Sequence, residues 1–151
     1  MAPASDAVGL STPPSTIDVE RGRLRLFAKA IGETDPLYTD LDAAHTAGHR
    51  DLPVPPTFLF CLEMDRPDPF AFLSEAGIDL ERVLHGEQSF TYHALCYAGD
   101  SLTFESSITD DYERKGGALR CLVRQTRVTR ADEPIADLSN VIVVQQSKAR
   151  A

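Results

Sequence analysis

Pro56-Thr57-Phe58-Leu59-Phe60-Cys61-Leu62 is the segment that most limits what this chain can become. Pro53-Val54-Pro55-Pro56 cannot be helical until its end, because proline lacks an amide hydrogen and is tolerated only in a helix's first turn. The run therefore predicts a helix starting at Pro56. From Phe58 onward apolar side chains cover the whole circumference, and such a helix has to be enclosed on every side. Pro67 and Pro69 interrupt it, and Phe70 to Ala76 can add a second short helical piece.

The second half of the chain supplies the enclosure, because its hydrophobic period changes to two. Phe90 and Tyr92 alternate with Ser89, Thr91 and His93. Leu102, Phe104, Ser106 and Ile108 alternate with polar residues, as do Leu119, Cys121 and Val123, and Ile135 to Gln145 is a final, more apolar strand. Gly99-Asp100, Gly116-Gly117 and Ala131-Asp132-Glu133-Pro134 are turn signals between these runs. A further strand is expected near Thr16 to Val19. About five antiparallel strands curled over one apolar helix make an α+β domain, although other α+β arrangements satisfy the same periodicity.

Ahead of the apolar helix, Val19 to Ile31 predicts an amphipathic helix. Leu24, Phe27, Ala28 and Ile31 share one face, Asp18 is a candidate N-cap, and Gly32 stands where a C-terminal glycine is expected. Glu33-Thr34-Asp35-Pro36 reads as a turn, and Leu41 to Ala47 as a short helix ended by Gly48. Residues 1–15 are read as a loose tail, 16–147 as one domain, and 148–151 as a second tail.

The 151 residues, 42% of them hydrophobic, fit one globular domain. A net charge of −8 argues against binding nucleic acid phosphates. No apolar run approaches the roughly 20 residues of a membrane span, and the N-terminus lacks the basic start and apolar core of a secretory signal. Cys61, Cys96 and Cys121 are far apart, so they are expected to be reduced thiols of a cytoplasmic protein. No residue spacing calls for a metal; His45 and His49 would be two ligands without a third.

One family resemblance runs through most of the chain. Phe27-Ala28-Lys29-Ala30-Ile31-Gly32-Glu33-Thr34-Asp35-Pro36-Leu37-Tyr38-Thr39-Asp40 resembles the hydratase segment of MaoC-like proteins. Asp42-Ala43-Ala44, Ala47-Gly48-His49 and Pro55-Pro56-Thr57-Phe58 continue it. So do His85-Gly86-Glu87-Gln88-Ser89-Phe90-Thr91-Tyr92-His93 and Ala98-Gly99-Asp100-Ser101-Leu102. The pattern is most similar to FAS1-like dehydratase N-terminal domains and to mycobacterial (3R)-hydroxyacyl-ACP dehydratase subunits A and C.

The resemblance implies a hot-dog fold and chemistry on (R)-3-hydroxyacyl or enoyl thioesters, carried by coenzyme A or acyl carrier protein, with no further cofactor. Catalytic members use an Asp-x-Asn-Pro-x-His segment whose Asp and His hold a water and move its proton. A glycine N–H at the start of the buried helix polarises the thioester carbonyl, helped by the helix dipole. Here Glu33 falls at the Asp position, Asp35 at the Asn position and Tyr38 at the His position. A phenol titrating near 10 is a poor base at neutral pH. The glycine position falls on Pro56, which has no N–H, unless Thr57 supplies one instead.

The expectation is therefore a degenerate, non-catalytic half that shapes an acyl tunnel beside a catalytic MaoC-like partner. Candidate catalytic positions are Glu33, Asp35 and Tyr38. Candidate substrate contacts are His49, Pro56, Thr57, Phe58, Phe90 and Tyr92, with Phe104 and the rest of the helix to Leu62 along the tunnel. Two other functions fit the same residues: a homodimeric acyl-thioester binding protein, or an autonomous hydratase using Glu33. Glu33 and Asp35 also fit a solvated, capping loop, and Tyr38 a half-buried ring. His85 and His93 are expected to pack at a strand edge. Arg114-Lys115 and the Arg120/Arg124 row fit either a solvated strand face or contacts to the phosphates of a carrier.

Overall fold

The structure, a computed structural model, describes residues 7–146. Strand β1 (Ser11–Asp18) leads into α1 (Arg21–Ala30), a 3-10 turn at Pro36–Tyr38, and α2 (Leu41–Thr46). Helices α3 (Phe58–Glu63) and α4 (Ala71–Glu75) follow, then a 3-10 turn at Leu80–Arg82. Strands β2 (Val83–Tyr92), β3 (Ser101–Arg114), β4 (Leu119–Arg130) and β5 (Glu133–Gln145) complete the chain. All five strands form one antiparallel sheet in the order β1-β3-β4-β5-β2. This is the hot-dog arrangement, with α3 on the sheet's concave face. Phe58, Leu59 and Leu62 of that helix share a core with Leu102, Phe104, Val128, Ile135 and Leu138 of the strands. No helix among the described residues is long and apolar enough to cross a membrane.

Several expectations shift. The sheet begins at Ser11, so residues 11–15 are not tail; Ser15 and Thr12 both pair with β3, around an irregularity at Pro13-Pro14. The expected tail residues 1–6 and 148–151 lie outside the described residues. Helix α1 starts two residues later than expected, with Glu20 rather than Asp18 at the N-cap, because Asp18 is still paired in β1, where it accepts a hydrogen bond from Ser101 Oγ. Ile31 is 54% exposed and ends the buried stripe. Helix α3 starts at Phe58, with Thr57 as its N-cap. Its burial is one-sided, since Phe60 and Cys61 are only partly covered.

The largest correction concerns β4. Its inward residues are Leu122, Arg124, Thr126 and Val128, the opposite parity to the expected Leu119, Cys121 and Val123, of which only Cys121 is buried, as a thiol among apolar residues was expected to be. Period-two reading fails there because charged residues occupy the core face. Arg120 and Arg124 are 6% and 4% exposed, so they form neither a solvated face nor a phosphate-binding row. Arg120 pairs with Asp111 through Nε at 2.8 Å and Nη2 at 2.5 Å. Arg124 pairs with Glu63 of α3 at 3.1 Å. Arg114 and Lys115 are exposed at the β3–β4 turn.

Turn chemistry follows the sequence more closely. Ala131 and Asp132 join β4 to β5 with positive φ at both positions, which is the two-residue hairpin whose twist matches its strands. Gly86 sits at an irregularity in β2 opposite β5. A Cβ there would stand 2.9 Å from the Val141 carbonyl oxygen and 2.6 Å from a Val143 methyl, so only glycine lets the two strands close up.

Candidate active-site cleft

The loop after α1 is held by its own carboxylates. The Asp35 carboxylate accepts from the Leu37 amide at 2.9 Å and caps the Pro36–Tyr38 turn. Glu33 Oε1 accepts from the Asp35 amide at 2.9 Å. Asp40 caps α2 by accepting from the Asp42 and Ala43 amides, and Arg25 Nε of α1 donates to Thr39 O at 2.9 Å. These short-range bonds fix where Leu37 and Tyr38 point.

Leu37 and Tyr38 form one wall of a cleft of about 280 Å³. His49, Pro53, Val54 and Pro56, from the α2–α3 connection, form the second wall. Tyr92, Ala94, Leu95 and Cys96, from the end of β2 and the loop beyond it, form the third. The connection is tied to the sheet by a bridge between Pro53 and Tyr97. His49 Nδ1 lies 3.1 Å from the Tyr97 hydroxyl, and the Arg50 guanidinium lies over the Tyr97 ring, 4.6 Å from its centroid.

Asp100 holds this wall from behind. It is 6% exposed, pairs with Arg50, and accepts from Arg130 Nη1 at 2.8 Å and the Tyr97 amide at 2.9 Å. Burial pushes its carboxyl upward, but hydrogen bonds from Arg50, the Tyr97 amide and Arg130 outweigh that and hold it below the usual carboxylate range. Burial also pushes the Cys96 thiol up to about 12 and the Tyr92 phenol well above its ordinary value. Both stay neutral, and no carboxylate is among the described residues that line the cleft.

Four of the expected site residues thus meet here: Tyr38, His49, Pro56 and Tyr92. Glu33 and Asp35 are not in the cleft wall; their carboxylates serve the loop. Thr57 is exposed and lies outside the cleft lining, and its amide has no partner among the described residues. Phe58 is 2% exposed and packs on Phe27, ring centroids 4.9 Å apart. Phe104 is fully buried in the core, and Phe90 stacks on Tyr92 at 6.0 Å from a partly buried position. These three rings therefore support the cleft rather than line it. His93 reaches Asp137 at 2.7 Å on the surface.

Sequence reading missed two groups. Asp100 stood in a quoted stretch and Tyr97 just before it, but only the fold brings them behind His49. The Glu63–Arg124 pair was hidden more deeply. Glu63 is 3% exposed on α3, where its Oε1 accepts from Thr126 Oγ1 at 2.6 Å and Ser106 Oγ at 2.9 Å. The one available signal was Arg124 and Thr126 in phase with Leu122 and Val128 on β4.

A smaller cleft of about 70 Å³ lies at the other end of β2. Phe60 and Met64 of the central helix region, Phe72 and Leu73 of α4, Val83 to His85 of β2, Asn140 and Ile142 of β5, and Arg124 surround it.

Comparison with known proteins places the chain. The family model of the FAS1-like dehydratase domain region matches residues 6–138. A UPF0336 protein from Streptomyces coelicolor is 40% identical over 109 residues, covering 72% of this chain and 73% of that protein. Among solved structures, the C-terminally truncated HadBC (3R-hydroxyacyl-ACP dehydratase) complex from Mycobacterium tuberculosis is similar with a TM-score of 0.79 and 25% identity, over 93% of this chain and 98% of that one. The ChsH1-ChsH2 complex from the same organism shares the fold with a TM-score of 0.72 and 22% identity, over 90% and 89% of the two chains. The matched region and the shared architecture agree: this chain belongs to the FAS1-like dehydratase family of MaoC-like proteins.

Proposed function

We propose that this chain is the non-catalytic half of a two-chain hydratase/dehydratase acting on (R)-3-hydroxyacyl or enoyl thioesters. It shapes the acyl site, and a MaoC-like partner carries the proton-transfer residues. The observation that carries this reading is the meeting of Tyr38 and Pro56 in one cleft. At these two positions a catalytic relative has an imidazole base and an amide donor. A phenol is protonated at neutral pH, and an imino acid has no hydrogen to offer. Losing a general base costs about 10²–10⁴-fold and losing an oxyanion donor about 10²–10³-fold. Glu33 does not compensate, because its carboxylate is engaged with the Asp35 amide outside the cleft wall.

The sheet edges support a partner. Edge strand β1 carries Pro13 and Pro14, which remove ladder donors and discourage further pairing. The other edge, β2, has ten residues and no proline. Leu84, Tyr92 and Leu95, on β2 and just beyond it, are 50%, 43% and 59% exposed. An open strand edge flanked by exposed apolar side chains is a pairing template. The HadBC and ChsH1-ChsH2 structures are both two-component complexes.

Co-expression with a MaoC-like chain that has an intact Asp-x-Asn-Pro-x-His segment tests this, with crotonyl-CoA hydration as the readout. The two chains should co-purify as an active complex, and this chain alone should be inactive. Full hydration by this chain alone would reject the reading. A stable homodimer that binds acyl-CoA without turnover and ignores the second chain would replace it with a binding protein.

A further inference from the structure

The buried charges around α3 do not balance. Among the described residues Glu63 is the one carboxylate in the group; Ser106 and Thr126 donate to it, and Arg124 forms an ion pair with it. Two guanidinium groups stand against it. Arg124 uses only Nη2, toward Glu63 and Ser106 Oγ, and lays its plane 4.8 Å from the Phe72 centroid. Its Nε and Nη1 donors have no partner among the described residues. Arg66, 8% exposed, lies close enough to disfavour the charge on Arg124. Its Nε and Nη2 atoms are buried without a hydrogen-bond partner.

Among the described residues, Arg124 is the one Arg, Lys, Asp or Glu that lines the smaller cleft, and it does so among Phe60, Met64, Leu73 and Ile142. The other polar groups there, Asn140 and His85, are engaged with each other and with β2. Asn140 Nδ2 lies 3.1 Å from Glu87 O and 3.2 Å from Gln88 Oε1, which orients its amide, and it lies 3.0 Å from His85 Nε2. A chain with a net charge of −8 has placed unspent donors, and no acid, in an apolar recess.

We infer that this recess is a carboxylate subsite, and that it receives the far end of an acyl group terminating in a carboxylate. It rests on the proposed function only for the acyl origin of the ligand; the site itself belongs to this chain. A carboxylate can accept two guanidinium hydrogens at once. An alkyl terminus would cover those donors without satisfying them, and a cation would be repelled. The space, about 70 Å³, admits a carboxylate and a methylene or two. The substrates favoured would be dicarboxylic acyl thioesters over their monocarboxylic counterparts.

The probes are monomethyl adipate and its neutral analogue dimethyl adipate, titrated into the full chain and followed by 1H–15N NMR. The monoester should shift the Arg124 Nε–H and the His85 and Ile142 amides saturably, and bind at least about tenfold more tightly than the diester. Equal or tighter binding of the diester would overturn the inference and leave the acyl-thioester reading intact. No saturable shift with the monoester would also overturn it. The Glu63→Gln/Arg124→Met double variant removes both charges together, so neither is stranded. Its loss of the preference, with the fold retained, is expected; a preference that persists there puts the site elsewhere. The preference should survive in the two-chain complex, and its disappearance there would overturn the inference.

Discussion

Replacing Glu63 with Gln isolates the central charge of this core. The amide keeps an oxygen for Ser106 and Thr126, which now donate to its carboxylate at 2.9 and 2.6 Å. What disappears is the negative charge beside Arg124, a residue only 4% exposed. Removing one member of a buried ion pair costs about 3–5 kcal/mol, because the other charge is left uncompensated. Because the Ser106 and Thr126 bonds persist, the expected loss is at the lower end, about 3 kcal/mol. For a domain of this size, each kcal/mol moves the midpoint by about 2–4 °C, so Tm should fall by roughly 6–12 °C. Urea unfolding should show a lower midpoint with an unchanged slope. Adding Arg124→Met should recover most of the loss, since a neutral side chain of similar length replaces the stranded cation. A loss below about 1 kcal/mol, or a double variant whose cost equals the sum of the two singles, would refute the coupling described for Glu63 and Arg124.

Gly86→Ala should destabilise the chain by about 1–3 kcal/mol in urea unfolding, because its methyl meets the backbone of β5; it should also weaken co-purification with a partner that pairs along β2. Hydrogen bonds hold the Asp100 and Asp111 carboxyls below the ordinary range. Their contribution is therefore complete above about pH 4 and is lost as pH falls through the folded-state values, so the unfolding midpoint should drop on acidification, and less steeply in Asp100→Asn. At pH 7, Asp100→Asn should cost about 2 kcal/mol, less than a fully buried pair, because Arg50 and Arg130 reach solvent.

The fold was legible because its strongest signals were chemical constraints on burial. An apolar helix after a proline run, strands of period two, and glycines at Gly32, Gly48 and Gly116 each admit few local structures. The β4 core face was not legible, because Arg120 and Arg124 look like solvent-facing residues until Asp111 and Glu63, distant in sequence, are placed against them. The cleft was legible in part. Tyr38, His49, Pro56 and Tyr92 lie in segments whose order matches the family. Phe58 and Phe104 were drawn into the tunnel because an aromatic residue in a core and one in a cleft have the same sequence signature. Tyr97 gave no local signal, since its role depends on a bridge to Pro53.

The division of labour between two chains is tested most directly by the turnover number of the assembled complex carrying Glu33→Gln in this chain. The account predicts crotonyl-CoA hydration at the wild-type rate, because the Glu33 carboxylate serves its own loop. A fall of about 100-fold or more, with the complex still assembled, would place proton transfer in this chain and contradict it.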